Sequence, residues 1–254
     1  MQSHRGDRFV LCCAVAACIS PIAWSSSVLA EEPAEAEPVI ETREVVVSAT
    51  KTPLPISQVT SAVEVITGEE LEQKKMKTVV DALRLAQGVA VLSNGGPGRE
   101  ATVRIRGGSN THTLVLIDGA IVNSATQGFY DFSSLTAENI ERIEILRGAQ
   151  SMLYGSDAMG GVINVITKKG RGAPSGSVFT EYGSFATIRE GAQASGAKGP
   201  LDFAVSVSRW DSSGFSTVNY KRGAAEREAF HNWQGSARVG ATLPKDGRLD
   251  FSLR

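Results

Sequence analysis

Hydrophobic and polar positions are arranged in two different ways along this chain. Beyond Pro174 they alternate. Leu201, Phe203, Val205 and Val207 interleave with Asp202, Ala204, Ser206 and Ser208; Trp233, Gly235, Ala237, Val239 and Ala241 interleave with Gln234, Ser236, Arg238, Gly240 and Thr242; Leu249, Phe251 and Leu253 have polar partners. A period of two sends successive side chains to opposite faces of a strand, so each run predicts a strand with one apolar and one polar or small side. Runs of about ten such residues build transmembrane β-barrel walls. Half-buried strands of a water-soluble sandwich alternate in the same way, so the period leaves both architectures open.

Upstream, between Ser57 and Gly170, the pattern predicts a small α+β domain. Ala62 to Ile66 reads as a short strand. Thr67 with Glu70, and Thr78 with Asp81, have capping-box spacing; the second opens a helical turn running to Ala86 and closed by Gly88. Val89 to Leu92, Thr102 to Arg106 and Thr113 to Ile117 supply further strands, and Asp118-Gly119 is a hairpin turn joining LVLI to AIVN. In Glu141 to Lys169, Ile143 and Ile145 alternate with Arg142 and Glu144, and Val162, Val165 and Ile166 form a β-branched run, predicting two half-buried strands. Gly148, Gly155, Gly160 and Gly161 punctuate the connection, which implies a tight turn. GSDAMGG lacks the Lys-Ser or Lys-Thr of a phosphate cradle and the spacing of a dinucleotide loop, so a nucleotide site is disfavoured.

Loop lengths sharpen the reading of the alternating strands. Counted from Ser177, the connections are Gly183 to Ala186, Ala197 to Pro200, Asp211 to His231 and Pro244 to Gly247. Outer-membrane barrels keep periplasmic turns short and let external loops grow, so the long third connection is expected outside if the preceding domain sits on the periplasmic side. Trp210, Tyr220 and Trp233 flank it, where an aromatic girdle is expected. About five strands fit here, whereas small membrane barrels need about eight, so the expectation is an N-terminal portion of a longer protein.

The first thirty residues have the three parts of a signal peptide: Arg5 and Arg8, an apolar run from Phe9 to Ile19, and Val28-Leu29-Ala30 at the cleavage position. Val15-Ala16-Ala17-Cys18 also reads as a lipobox, which would make Cys18 a lipidated N-terminus instead. Cys12, Cys13 and Cys18 are the only cysteines, so cleavage after Ala30 leaves neither disulfides nor thiolate metal sites. Removing Arg5, Arg8 and Asp7, a net +1, takes the formal charge from −1 to −2, which carries no nucleic-acid signal. His4, His112 and His231 have no metal-ligand spacing. Residues 31–42 begin with EEPAEAEP, acidic and proline-bearing, which predicts a flexible tether. The β-prone stretch of residues 43–49 follows, ended by the breakers Pro53 and Pro55. It is either an ordinary first strand or a strand free to pair with another protein's sheet edge.

Taken in order, Arg104-Ile105-Arg106-Gly107, Leu116-Ile117-Asp118-Gly119 and ERIEILRGAQSMLYGSDAMGGVINVITKK resemble the plug of TonB-dependent outer-membrane receptors. Within that family the pattern is most similar to the cobalamin receptor type, with the departure that Ala149 stands where proline usually follows the glycine. The resemblance implies a TonB box at Glu44, Val45, Val46, Val47, Ser48 and Ala49, a plug over residues 50–170, and the first antiparallel strands of a transmembrane β-barrel, incomplete here, over residues 174–254. It implies TonB, outer-membrane lipid and a small-molecule cargo, cobalamin or a ferric siderophore, as partners, and no nucleic acid. Two glycine-bearing loops would lie at the outward apex: Asn94, Gly95, Gly98 and Arg99 in one, Asn123, Gln127, Phe129 and Tyr130 in the other. Both loops are either ligand-contacting or plain surface. Arg104 and Arg106, placed on one side of their strand, either pair with acidic groups of a barrel wall or face solvent. No nucleophile, acid and base constellation is present, so neither catalytic residues, cofactor nor metal is expected. A passive porin or adhesin, and a soluble periplasmic enzyme, are the readings from other classes.

Overall fold

The structure is a computed structural model that describes residues 46–47, 54–55, 62–216, 227–244 and 247–254. The expected signal peptide and tether lie outside the described residues. The first elements are two-residue strands, β1 (Val46–Val47) and β2 (Leu54–Pro55), paired antiparallel.

The α+β domain then runs through β3 (Ala62–Thr67), α1 (Gly68–Gln73), α2 (Val79–Leu85), β4 (Val89–Ser93), β5 (Ala101–Ile105), β6 (Thr113–Ile117), β7 (Ala120–Ile121), β8 (Ile140–Arg147), the helical turn α3 (Ser151–Tyr154) and β9 (Gly161–Thr167). Its central sheet has the order β3-β8-β9-β6-β7; only β6 and β9 run parallel, and β4 and β5 form a separate hairpin. Both expected helix starts are present, with one difference. Thr78 and Asp81 form the complete capping box, whereas at Thr67 only the hydroxyl caps Glu70 N–H and the Glu70 carboxylate pairs with Lys74 at 2.5 Å. Asp118 and Gly119 make the hairpin turn with φ of 50° and 83°, the paired positive values that a two-residue turn needs. The strand after it stops at Ile121.

β8 and β9 are not half-buried as their alternation predicts. Ile143, Ile145, Ile163 and Val165 face a core shared with Leu71 of α1, Leu83 of α2 and Ile105 of β5, while Leu146 and Val162 face a second cluster with Leu114 and Leu116. Apolar groups cover both faces, and even Glu144, held by Arg142 Nε at 2.7 Å, is fully buried. Burying a side chain of this size contributes roughly 1.5–3 kcal/mol, so these two strands anchor the domain.

The chain leaves the domain past Gly170, where a Cβ would collide with the backbone of Gly196 and Phe203, so the exit lies flush against the strands that follow. Those are β10 (Ser175–Gly183), β11 (Thr187–Lys198), β12 (Leu201–Ser212), β13 (Phe230–Thr242) and β14 (Arg248–Leu253), each antiparallel to the next in one meander. The predicted parity holds throughout. Val178, Tyr182, Val205, Val207, Trp233, Val239, Leu249 and Phe251 are exposed on the outer side, and Asp202, Ala204, Ser206, Ser208, Gln234, Ser236 and Arg238 point toward the α+β domain. The aromatic girdle needs one correction: Trp210 is 8% exposed and faces inward, because it shares the parity of Ser206 and Ser208. Trp233 and Tyr182 provide the outward rings at that end of the wall, and Tyr220 lies outside the described residues.

Candidate functional site

The β4 to β5 hairpin carries the first predicted loop. Asn94 N–H bonds the Glu100 carbonyl at 3.1 Å and Arg99 N–H bonds the Gly96 carbonyl at 3.2 Å. Gly98, at φ 79°, lies so close to Phe230 that a Cβ would meet its ring, and Gly96 sits against Phe215. Arg99 Nε reaches Glu228 at 3.1 Å. Asn94, Gly95, Gly98 and Arg99 are therefore placed at the end of the wall that holds the Ser184 to Ala186 turn and the long connection after Ser212. Phe185 and Phe215 at 5.5 Å, with Trp210 and Phe230 at 5.2 Å edge to face, form the aromatic lining there.

The second loop is used differently. Asn123 spends its amide on structure, accepting from Val115 N–H at 2.7 Å and donating to the carbonyls of Thr113 and Gly128. Tyr130 packs edge to face on buried Phe132 at 4.9 Å, and burial, reinforced by Asp131, raises its hydroxyl pKa above the usual tyrosine value. Gln127 is exposed and Phe129 half-buried. Asp131 joins the two loops, accepting from Ala101 N–H at the base of the first hairpin and from Ser133 N–H.

Arg104 and Arg106 are both exposed but do not alternate on one strand. β5 ends at Ile105, and Arg106 has φ 51° with its N–H bonded to the Gly88 carbonyl at 2.8 Å. The contacts between domain and wall include several residues that the sequence pattern did not single out. Lys77 binds Glu181 at 2.5 Å; Arg189 of β11 binds Glu181 at 2.6 Å and Glu138 at 2.5 Å. Thr136 bonds Gln234, Asn139 Nδ2 donates to Ser236 Oγ at 2.6 Å, and Asp118 pairs with Arg238 at 3.4 Å and with Arg254. The wall half of this seam was readable as the polar parity of β12 and β13. Lys77, Thr136, Glu138 and Asn139 sit in connections, where no period marks them. At the exit, burial and the nearby Arg238 lower the Lys169 pKa below the usual lysine value.

Of the expected TonB box, Glu44, Val45, Ser48 and Ala49 lie outside the described residues. Val46 and Val47 pair antiparallel with Pro55 and Leu54, so Pro55 sits inside a paired strand rather than ending a free one, and an edge position accommodates a residue without an N–H. Among the described residues no group of His, Cys, Asp or Glu has metal-binding geometry, and no helix is long and apolar enough to cross a membrane, which says nothing of a β-barrel.

Residues 55–162 match the family model described as TonB-dependent Receptor Plug Domain. The α+β domain is a TonB-dependent receptor plug domain. The five-stranded meander that follows it is arranged as the first antiparallel barrel strands of the solved outer-membrane receptors that share this fold. The chain is 40% identical over 154 residues, 61% of its length and 25% of the relative's, to the Vitamin B12 transporter BtuB of Photobacterium profundum. It is 43% identical over 124 residues, 49% of its length, to the protein of that name from Vibrio cholerae, of which it covers 20%. It therefore spans a quarter or less of these relatives. Among solved structures it resembles the siderophore receptor PirA of Acinetobacter baumannii at 32% identity and a TM-score of 0.60, covering 75% of this chain and 31% of that one. The ferripyoverdine receptor of Pseudomonas aeruginosa, at 20% identity and a TM-score of 0.67 over 82% of this chain and 27% of that one, shares the fold.

Proposed function

We propose that this chain is the N-terminal part, plug and first wall strands, of an outer-membrane receptor that captures cobalamin at the apex and takes it up actively through TonB. The observation that carries the cargo is the 40% identity over 154 residues and 43% over 124 residues to proteins named vitamin B12 transporters, stretches too long to rest on one motif. The placement of Asn94, Gly95, Gly98 and Arg99 against the long-loop end of the wall supports capture at that face. In this reading Gln127 and Phe129 add contacts from the second loop, Asn123 and Tyr130 hold that loop in shape, and Arg104 and Arg106 meet wall strands beyond the five present here. TonB adds a strand to residues 44–49, the signal peptide ends at Ala30, and the protein performs no bond chemistry.

Ferric siderophores are the second reading, favoured by the likeness to the siderophore receptor PirA. Titrating the whole receptor with cyanocobalamin, haem and ferric chelates separates the two: the expected result is tight binding of the corrinoid alone. Preference for a ferric chelate overturns the cargo. A passive porin or adhesin predicts that deleting residues 43–49 leaves uptake and TonB binding unchanged; the expected result is loss of both.

A further inference from the structure

Two cavities lie along the seam between plug and wall, with a row of charged side chains between them. One, about 310 Å³, opens at the apical end and is lined by Lys77, Arg84, Gly95, Arg99, Ser133 and Trp210. The other, about 340 Å³, lies between α1 and strands β10 to β12 and is lined by Leu71, Met76, Glu138, Phe179, Gln193 and Ser208. Lys77 borders the first; Glu138 and Arg189 border the second. They are joined through Glu181 into one chain, Lys77 to Glu181 to Arg189 to Glu138, with links of 2.5, 2.6 and 2.5 Å. Arg189 is 7% exposed and lies 5.0 Å over the ring of Trp210, which lines the apical cavity.

The lower cavity is wet by its chemistry. Glu138 Oε2 and Arg189 Nε are buried without a protein partner, and such atoms are satisfied by water. A cavity of 340 Å³ holds roughly ten water molecules at liquid density. Seen from the apex, a hydrated space is interrupted by ion pairs and continues beyond them. We propose that the Lys77, Glu181, Arg189 and Glu138 chain is a gate that closes a hydrated route along β10 to β12 against small polar solutes, and that this seam, rather than the one beside β13, is where the plug parts from the wall. Arg189 is the central element of this chain because it bonds both a wall carboxylate, Glu181, and a plug carboxylate, Glu138, and is itself almost fully buried. The β13 seam holds two neutral pairs, Thr136 with Gln234 and Asn139 with Ser236, and the ion pairs of Asp118 with Arg238 and Arg254, but the cavity beside it is only about 40 Å³. The inference rests on reading the five strands as the wall of an outer-membrane receptor.

The test uses the whole receptor in proteoliposomes without TonB, reading efflux of a small zwitterionic dye. Arg189→Gln and Glu138→Gln are expected to raise efflux about tenfold, the change in open population that a loss of roughly 1.4 kcal/mol from the closed state gives. Ser236→Ala is expected to leave it at the parent rate. Glu138→Gln keeps a hydrogen-bonding amide of the same shape, so it carries the test if Arg189→Gln fails to insert. In a receptor otherwise free of cysteine, Ser208→Cys in the Glu138→Gln background should react faster with a hydrophilic thiol reagent added from the long-loop side. Parent-level efflux in both gate variants overturns the gate, as does an equal leak from Ser236→Ala. Cyanocobalamin binding is read separately, so a leaking variant that binds no corrinoid supports the gate while sinking the cargo assignment.

Discussion

Ile143 and Val205 are both β-branched residues in strands, and their side chains have opposite surroundings. Ile143 is fully buried in the plug; Val205 is 46% exposed on the outer side of the wall. The plug hides its apolar groups on both faces of its sheet, as a water-soluble domain does. The wall turns its apolar face away from the protein and its serines, glutamines and charges toward the plug. One chain is thus folded against two solvents, and much of the contact between its halves is made by polar and charged groups from both sides. Parting such a contact exposes polar groups that water can satisfy rather than apolar surface.

The largest expected effect breaks the plug side of that contrast. Ile143→Ala removes a core side chain from a site packed on every side, and should destabilise the plug by about 2–5 kcal/mol. The check is the urea midpoint at which the plug of the reconstituted receptor becomes protease-sensitive. A change below about 1 kcal/mol would mean that β8 is not the anchor described above.

Val205→Arg tests the other side. A cation on the lipid face costs about 2–4 kcal/mol near the bilayer midplane and falls toward zero at the interfaces. Val205→Ala should cost much less than the same truncation at Ile143, because lipid or detergent fills the space. Urea titration of folding into vesicles measures both. An arginine tolerated at position 205 and rejected at its inward neighbour Ser206 would reverse the assignment of faces.

The wall was legible almost residue by residue, because a single period governs it and both environments are uniform along a strand. Trp210 shows that even its exception was written there, since its parity with Ser206 and Ser208 outweighs the expectation that aromatics gather at membrane boundaries. The plug was legible as elements but not as burial. Whether Glu144 is half-exposed or sealed depends on what covers the second face, which comes from Leu114, Leu116 and Val162 on other strands. What the two glycine-bearing loops do with their polar groups was not legible: Asn123 and Arg99 both looked available for a ligand, yet one holds its own loop and the other pairs with a residue far along the chain. Long-range partners such as Arg189 and Glu138 leave no local trace.

A smaller effect is expected at the start of α2. Thr78→Ala removes the hydroxyl that accepts Asp81 N–H at 3.2 Å and should cost about 1 kcal/mol. Thr67→Ala should cost less, since its cap lacks the reciprocal carboxylate. The same protease midpoint ranks the pair, and equal losses would show that the second half of the capping box adds nothing here.

The smallest stability effect and the most informative functional one meet at Arg99. Its side chain is 52% exposed and its partner Glu228 lies across the junction of plug and wall. An exposed ion pair contributes about 0–1 kcal/mol, so Arg99→Ala should leave the protease midpoint nearly unmoved. If the apical loop meets cargo, the same variant should weaken cyanocobalamin binding several-fold, because it removes both a donor and the contact that holds the loop against the wall. Arg99→Lys separates those contributions: it keeps a cation for Glu228 but loses the planar donor set, so recovery of affinity assigns the role to holding the loop, and no recovery assigns it to touching the ligand. Unchanged affinity in both variants would leave the polar junction with Glu228 as structure only, and would move the capture site off the plug and onto the wall loops.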